Sequence, residues 1–100
     1  MKIAVCSGPE SKEISEKIAG NLRSKGHKTR VVSGSLKDYL DSIGEADALL
    51  IVNDRGEVSP EMVVAIVLAD YLGKRVMATR QPENRALEGL LSSVNVEVVD

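Results

Sequence analysis

The chain has 100 residues, 43% of them hydrophobic, and a formal net charge of −2 at pH 7. This length suits one domain, and we expect residues 1–100 to form a single α/β unit, because two separate cores would need a longer chain. The slight negative charge, with 13 Lys and Arg scattered along the sequence, argues against a nucleic-acid polymer as partner.

The cysteine content and the apolar runs restrict the cellular setting. Cys6 is the one cysteine, so no intrachain disulfide can form, which favours a reducing compartment. No apolar run approaches the roughly 20 residues that cross a bilayer, and the first residues lack the apolar region of a signal peptide. We therefore expect a cytoplasmic protein with no membrane partner.

The first third of the chain predicts a strand, a helix and a second strand. Lys2–Cys6 is a short run with β-branched residues, closed by Ser7-Gly8-Pro9, which is typical of a buried parallel strand ending in a turn. From Glu10 to Lys25, apolar residues recur at helical spacing. His27–Ser33 begins with basic and polar residues, which predicts an edge strand.

The middle of the chain predicts two more helices around a central strand. Gly34-Ser35 opens the second helix and Gly44 ends it. Ala46–Asn53 holds an unbroken apolar run, the pattern of a strand covered on both faces. Ser59 is the expected N-cap of the third helix, with Pro60 in its first turn. The apolar face of the second helix is predicted to consist of Leu36, Tyr39, Leu40 and Ile43.

The third helix, expected to run to Leu72, is apolar around nearly its whole circumference, with Asp70 almost its only polar residue. One face of a sheet cannot cover such a helix. An exposed apolar face of that size is a liability in a monomer. We therefore predict a homo-oligomer that associates through residues 60–72.

The last part of the chain predicts a strand at Arg75–Thr79, a helix at Asn84–Ser92 and a strand at Val94–Val99. The complete order is then βαβαβαβαβ, in which short right-handed crossovers make neighbouring strands parallel. We expect a three-layer αβα, flavodoxin-like (Rossmann-like) fold, with a five-stranded parallel sheet in the order 2-1-3-4-5.

This strand order opens a crevice where the connections after strands one and three leave in opposite directions. Two loops that contain glycine and small hydroxyl residues, each leading into a helix, line it, so an anionic or hydroxyl-rich ligand would fit. The opposing interpretation is that Gly8 and Pro9 only turn the chain and that the serines only cap helices. The candidate ligand-binding residues are Ser7, Gly8, Pro9, Ser11, Asn53, Asp54, Gly56 and Ser59.

No cofactor and no metal are expected. The first loop has neither the P-loop nor the dinucleotide-binding pattern of glycines, so the sequence supports neither an ATPase nor a dehydrogenase. His27 has no cysteine or second histidine as a partner in a metal site. Asp54, Glu57 and Glu61 could surround a hard cation, but three carboxylates on a polar segment are more often solvated.

One stretch carries a family resemblance. Ala46–Asn53, a glycine-containing loop, Ser59-Pro60 and a helix ending in Leu72-Gly73-Lys74-Arg75-Val76 together resemble the nucleoside 2-deoxyribosyltransferase superfamily. The start at Lys2-Ile3-Ala4-Val5 is similar as well. The resemblance implies a nucleoside or nucleotide as ligand, cleavage or transfer of its N-glycosidic bond, and oligomers that complete each other's sites.

The chain departs from this family at the position of the nucleophile. The resemblance implies that this nucleophile is a glutamate on the third helix. Counting back from Gly73-Lys74, that position holds Ala65, and the nearest carboxylate is Glu61, one helical turn earlier. Glu61 could take the catalytic role, or it could only complement the positive end of the helix dipole. We favour a protein that binds a nucleotide without cleaving it.

Two readings from other classes remain. Ile3-Ala4-Val5-Cys6-Ser7-Gly8 looks like the start of a sugar phosphotransferase IIB domain, a phosphocarrier in which Cys6 would be exposed with a lowered pKa. Pro9 and Glu10 do not suit such a phosphate loop, because one lacks an N–H and the other adds negative charge. The other reading is an interaction domain that uses the third helix and binds no small ligand.

Overall fold

Strands and helices alternate along the chain in the computed structural model, which describes residues 1–7, 12–32, 34–53, 59–79 and 96–98. The predicted helix at 84–92 lies outside these residues. The elements are β1 Lys2–Ser7, α1 Lys12–Ser24, β2 Lys28–Val31, α2 Leu36–Glu45, β3 Ala48–Val52, α3 Pro60–Tyr71, β4 Arg75–Ala78 and β5 Val96–Val98.

All strand pairs in the sheet are parallel. The strands follow the order β2-β1-β3-β4, and the three-residue β5 pairs with the outer side of β4. The predicted α/β class and the order 2-1-3-4, consistent with a flavodoxin-like fold, are confirmed, as are the edge position of β2 and the inner position of β3. Ser7 pairs with Val52 in the register of β1 and β3, so their carboxyl ends lie level at one edge of the sheet.

Helices cover both faces of the sheet. On one face, side chains such as Val5 and Leu50 pack against the apolar side of α1. On the other face, Cys6 and Leu49 belong to a larger cluster that includes residues of α2 and α3. Alternate residues of each strand therefore serve different helical layers, and β3 is buried along its whole length.

The apolar face predicted for α2 is only half correct. Tyr39 and Ile43 are buried, whereas Leu36 and Leu40 are 61% and 43% exposed. The helix also continues through Gly44 to Glu45 rather than ending at the glycine. The helical spacing of these four apolar residues predicts one buried stripe, but only the side of α2 that carries Tyr39 and Ile43 packs into the core.

The start of α3 agrees with the prediction from sequence. The Ser59 hydroxyl accepts a hydrogen bond from the Met62 N–H at 3.3 Å, and Pro60 occupies the first turn. The buried side consists of Met62, Ala65, Ile66 and Ala69. Val64, Val67, Tyr71 and Leu72 are exposed, so the expectation that one sheet face cannot cover α3 is confirmed. None of the helices in the described residues is long and apolar enough to cross a membrane.

Candidate functional site

The carboxyl ends of β1 and β3 bring two of the predicted ligand-binding residues to the same edge. Ser7 is the last residue of β1, and Asn53 directly follows the last residue of β3. The register places Ser7 beside Val52, so Ser7 and Asn53 flank the switch point of the sheet. Five further candidates lie outside the described residues, namely Gly8, Pro9, Ser11, Asp54 and Gly56.

Asn53 is fully buried and is tied to the end of β4. Its backbone N–H donates to the Thr79 hydroxyl oxygen at 3.1 Å, and that hydroxyl donates to Asn53 Oδ1 at 3.3 Å. The Thr79 N–H in turn donates to the carbonyl of Ile51 at 3.0 Å. Asn53 therefore holds two neighbouring strand ends together, and a role in ligand binding stays a prediction.

A cavity of about 150 Å³ lies between the first turns of α2 and α3. Its walls are Gly34, Leu36, Tyr39, Glu61 and Val64, and we call it the α2–α3 cavity. Glu61, the predicted catalytic residue, is exposed in the first turn of α3 and borders this space. Because Gly34 follows the carboxyl end of β2, and Glu61 follows that of β3, the cavity lies at the same end of the strands as the predicted crevice.

Gly34 lines the cavity in a backbone conformation that favours glycine. Its φ is +97°, and a Cβ there would collide with the Asp38 carboxylate. That carboxylate accepts a hydrogen bond from the Ser35 N–H at 2.8 Å, which completes the capping box at the start of α2. Hydrogen bonds from the backbone and then the side chain of Ser35 lower the pKa of Asp38. The capping box thus fixes one side of the cavity.

Tyr39 connects the cavity to the Cys6 thiol beneath it. Burial raises the pKa of Cys6 to about 12, against an opposing hydrogen bond with Tyr39, and the Glu61 carboxylate adds to the rise. Burial also raises the pKa of Tyr39, and repulsion from Cys6 and Glu61 acts in the same direction. Both groups are therefore protonated at neutral pH.

These properties contradict the phosphocarrier reading. A phosphocarrier needs an exposed thiol with a lowered pKa, but Cys6 is fully buried and its pKa is raised. Burial of Cys6 instead agrees with a structural cysteine, which is the more common role of a single cysteine in a strand. Position 6 points into the α2 and α3 side of the sheet, where Tyr39 and Met62 enclose it.

The cavity offers a carboxylate, which accepts hydrogen bonds, and a phenol, which both donates and accepts, beside apolar walls. Glu61 contributes a carboxylate and Tyr39 a phenol, while Leu36 and Val64 contribute apolar surface. Such a surface suits a ligand with hydroxyl donors and an apolar face. Ser59, used by α3 as its N-cap, keeps a hydroxyl hydrogen that could donate to a ligand nearby.

Sequence reasoning missed Gly34 and Tyr39 as lining residues. A usable signal was present for Tyr39, because a tyrosine on the core side of a helix needs a partner for its hydroxyl. For a metal ion, no group of three His, Cys, Asp or Glu side chains is suitably placed among the residues that the structure describes.

The fold is similar to those of two solved enzymes from clostridia. The CMP N-glycosidase BcmB of Clostridium botulinum has a TM-score of 0.66 and 22% identity, with 96% of this chain and 87% of that chain covered. Ribose-5-phosphate isomerase B of Clostridium thermocellum has a TM-score of 0.50 and 16% identity, with 99% and 72% covered. No protein-family model and no curated protein sequence matches. At these identities, the similarity establishes the fold alone.

Proposed function

We propose that this chain binds a nucleoside or nucleoside monophosphate at the carboxyl edge of its sheet and does not transfer the glycosyl group. Three observations support this proposal. The sequence resembles the nucleoside 2-deoxyribosyltransferases, the fold is similar to that of a CMP N-glycosidase, and a cavity with a carboxylate and a phenol lies at the expected edge. On this proposal, the chain is a divergent relative of that superfamily.

The environment of Ala65 carries the non-catalytic part of the proposal. The resemblance places the family's nucleophilic glutamate at this position, but alanine has no nucleophile with which to form a glycosyl ester. Ala65 is also fully buried and belongs to the core cluster with Leu49 and Met62. The position that holds the carboxylate in the resembled family is therefore part of the apolar core in this chain.

Glu61 supports a second candidate function, cleavage of the N-glycosidic bond. Its side chain borders the α2–α3 cavity, so a sugar held there would be within reach of a carboxylate. It stands one turn from position 65, about 5 to 6 Å along the helix axis. Near-attack geometry tolerates errors of only about 1 Å. A sugar placed for attack by a carboxylate at position 65 would therefore be out of place for attack by Glu61.

The volume of the α2–α3 cavity indicates that a nucleoside would occupy both this cavity and the adjoining crevice. Pockets for complete drug-sized ligands have volumes of roughly 300 Å³ or more. The α2–α3 cavity, at about 150 Å³, would hold one part of a nucleoside, such as the sugar. The remainder would extend to the crevice beside Ser7 and Asn53, where the other predicted ligand-binding residues follow in sequence.

Thermal unfolding of the purified chain with nucleosides and their monophosphates tests the proposal. At a hundredfold excess over Kd, we expect a ligand to stabilise the protein by about 2.7 kcal/mol, or roughly 10 °C for a domain of this size. Chromatography of each stabilising mixture then measures released base. A thermal shift without released base supports a binding protein, and no shift with any member of the panel contradicts the proposal.

Glu61→Gln separates the two candidate functions. If Glu61 accepts hydrogen bonds from a bound sugar, the variant binds about tenfold more weakly. If Glu61 is the nucleophile, wild type releases base and the variant does not. Glu13→Gln is a matched control, because Glu13 is likewise an exposed acidic residue in a first helical turn.

The exposed apolar side chains of α2 and α3 support a homo-oligomer as part of the proposed function. Val64, Val67 and Tyr71 follow one another at spacings of three and four along α3, so they share one face. Leu36 borders the same cavity as Val64, which makes the exposed side of α2 continuous with that face. The α2–α3 apolar surface consists of Leu36, Leu40, Val64, Val67, Tyr71 and Leu72.

We expect Val67→Glu to convert the oligomer to monomers. Val67 is 46% exposed, so the substitution leaves the core intact but places a charge in the proposed interface. Sedimentation velocity over a range of concentrations measures the change. Asn21→Glu, on the exposed side of α1, is the control and should sediment like wild type. A wild-type protein that is monomeric at all concentrations would contradict association through this surface.

A further inference from the structure

A second cavity, of about 130 Å³, lies at the opposite end of the sheet from the α2–α3 cavity. The first residues of β1 and β2 form one side of it, and the last turns of α2 form the other. The length of β1, at about 3.3 Å per residue, separates the two ends of the sheet. We call this space the basic cavity, because Lys2, Lys28 and Arg30 line it.

The lysines of this cavity are direct neighbours. Lys2 and Lys28 are partners in the parallel register, and Arg30 lies two residues farther on the same face. Like charges directly opposite one another destabilise a sheet unless something neutralises them. Glu45, the one carboxylate that lines the cavity in the described structure, is paired with Arg30 at 3.5 Å.

The two lysines have no carboxylate of their own. Asp47 is close, but its Oδ2 accepts from the Lys2 backbone N–H at 2.9 Å. Neither lysine side chain makes an ion pair within the part of the chain that the structure describes. Three cations therefore face one carboxylate, in a protein whose overall charge is negative.

Ser42 adds an unused donor to the same cavity. Its side chain is 5% exposed and borders the space, yet its hydroxyl makes no hydrogen bond in the described residues. Ser15 and Ser24, by comparison, donate to backbone carbonyls of their own helix. No buried side-chain nitrogen or oxygen in the described residues lacks a partner, so the Ser42 hydroxyl oxygen is accessible from the cavity and can donate to a group bound there.

We propose that the basic cavity binds a small oxyanion of the phosphate class, held by the Lys2 and Lys28 ammonium groups and the Ser42 hydroxyl. The volume suits a phosphate group and is too small for a whole nucleotide. The carbonyl end of α2 and the Glu45 carboxylate border the space and oppose anions, so the lysines must supply the attraction. Binding therefore weakens as ionic strength rises.

Backbone amide NMR of the full chain during titration with inorganic phosphate, at ionic strength held constant with sodium chloride, tests this site. We expect saturable shifts of the Thr29, Arg30 and Ala46 amides. Lys28→Gln and Ser42→Ala should each raise Kd, with about a fivefold rise for the lysine variant. Lys25→Gln removes an equal charge from an exposed turn outside the cavity and should bind like wild type.

Glycerol 3-phosphate is the second probe, because a phosphate group could arrive free or as part of a larger molecule. Tighter binding of glycerol 3-phosphate assigns the cavity to phosphomonoesters, and tighter binding of inorganic phosphate assigns it to the free ion. Shifts that rise without saturation, or equal affinities for Lys28→Gln and Lys25→Gln, would overturn the proposal. Saturable shifts confined to the α2–α3 cavity would overturn it too.

Discussion

Ala65→Glu, which restores the carboxylate of the resembled family, should lower the free energy of unfolding by about 4 kcal/mol or more. Residue 65 is fully buried among apolar side chains, so the glutamate must overpack the core and lose its hydration. Among the described residues, the buried polar side chains are Ser15, Ser42 and Asn53, so no buried cation is present there to neutralise the carboxylate. Urea denaturation of the variant and of wild type measures the difference.

Ala65→Gln is the control for this substitution, because it adds nearly the same volume without a charge. The difference between the two variants then isolates the cost of burying the carboxylate. An Ala65→Glu protein within about 1 kcal/mol of wild type would mean that position 65 faces a hydrated site. Released base from such a variant would show that one substitution separates this chain from a glycosidase.

The Cys6 thiol should react with iodoacetamide about a thousandfold more slowly in the native protein than in the unfolded chain at pH 8. Its pKa is raised from 9.0 to about 12, chiefly by burial, and each unit lowers the reactive thiolate fraction tenfold. Full burial also blocks access of the reagent. Mass spectrometry of alkylation time courses, with and without denaturant, measures both rates.

The same raised pKa predicts a loss of stability at alkaline pH. The unfolded thiol ionises near pH 9 while the native thiol keeps its proton. The contribution of Cys6 to the free energy of unfolding is therefore complete below pH 9 and is lost between pH 9 and about 12. Cys6→Ala lacks this group, and wild type should lose stability relative to it above pH 9. Rapid native alkylation at pH 8 would contradict the burial of Cys6 and restore the phosphocarrier reading.

Much of the fold could be predicted because strong local signals agreed with one another. The apolar run in β3 required cover on both faces, and Ser59-Pro60 marked the start of α3 within one residue. Alternation of strands and helices then left few topologies, since crossovers between parallel strands are right-handed. These features depend on neighbouring residues, which a sequence displays directly.

The candidate site was less predictable because its walls come from elements that are distant in sequence. Gly34 and Tyr39 from α2 meet Glu61 from α3, and nothing in either segment specifies the other. Periodicity grouped Leu36 with Ile43, although the direction in which α2 crosses the sheet buries only one of them. The position of Cys6 could be read from the sequence, whereas its burial depends on which face of β1 the helices cover.

The four-residue edge strand β2 also affects the tendency of the protein to aggregate at high concentration. An open strand edge offers unpaired backbone groups to any extended segment that meets it. Lys28 and Arg30 project from this short edge and are exposed, so an added strand would have to lie beside two positive charges. The residues that make one cavity basic thus also discourage the sheet from growing into an aggregate.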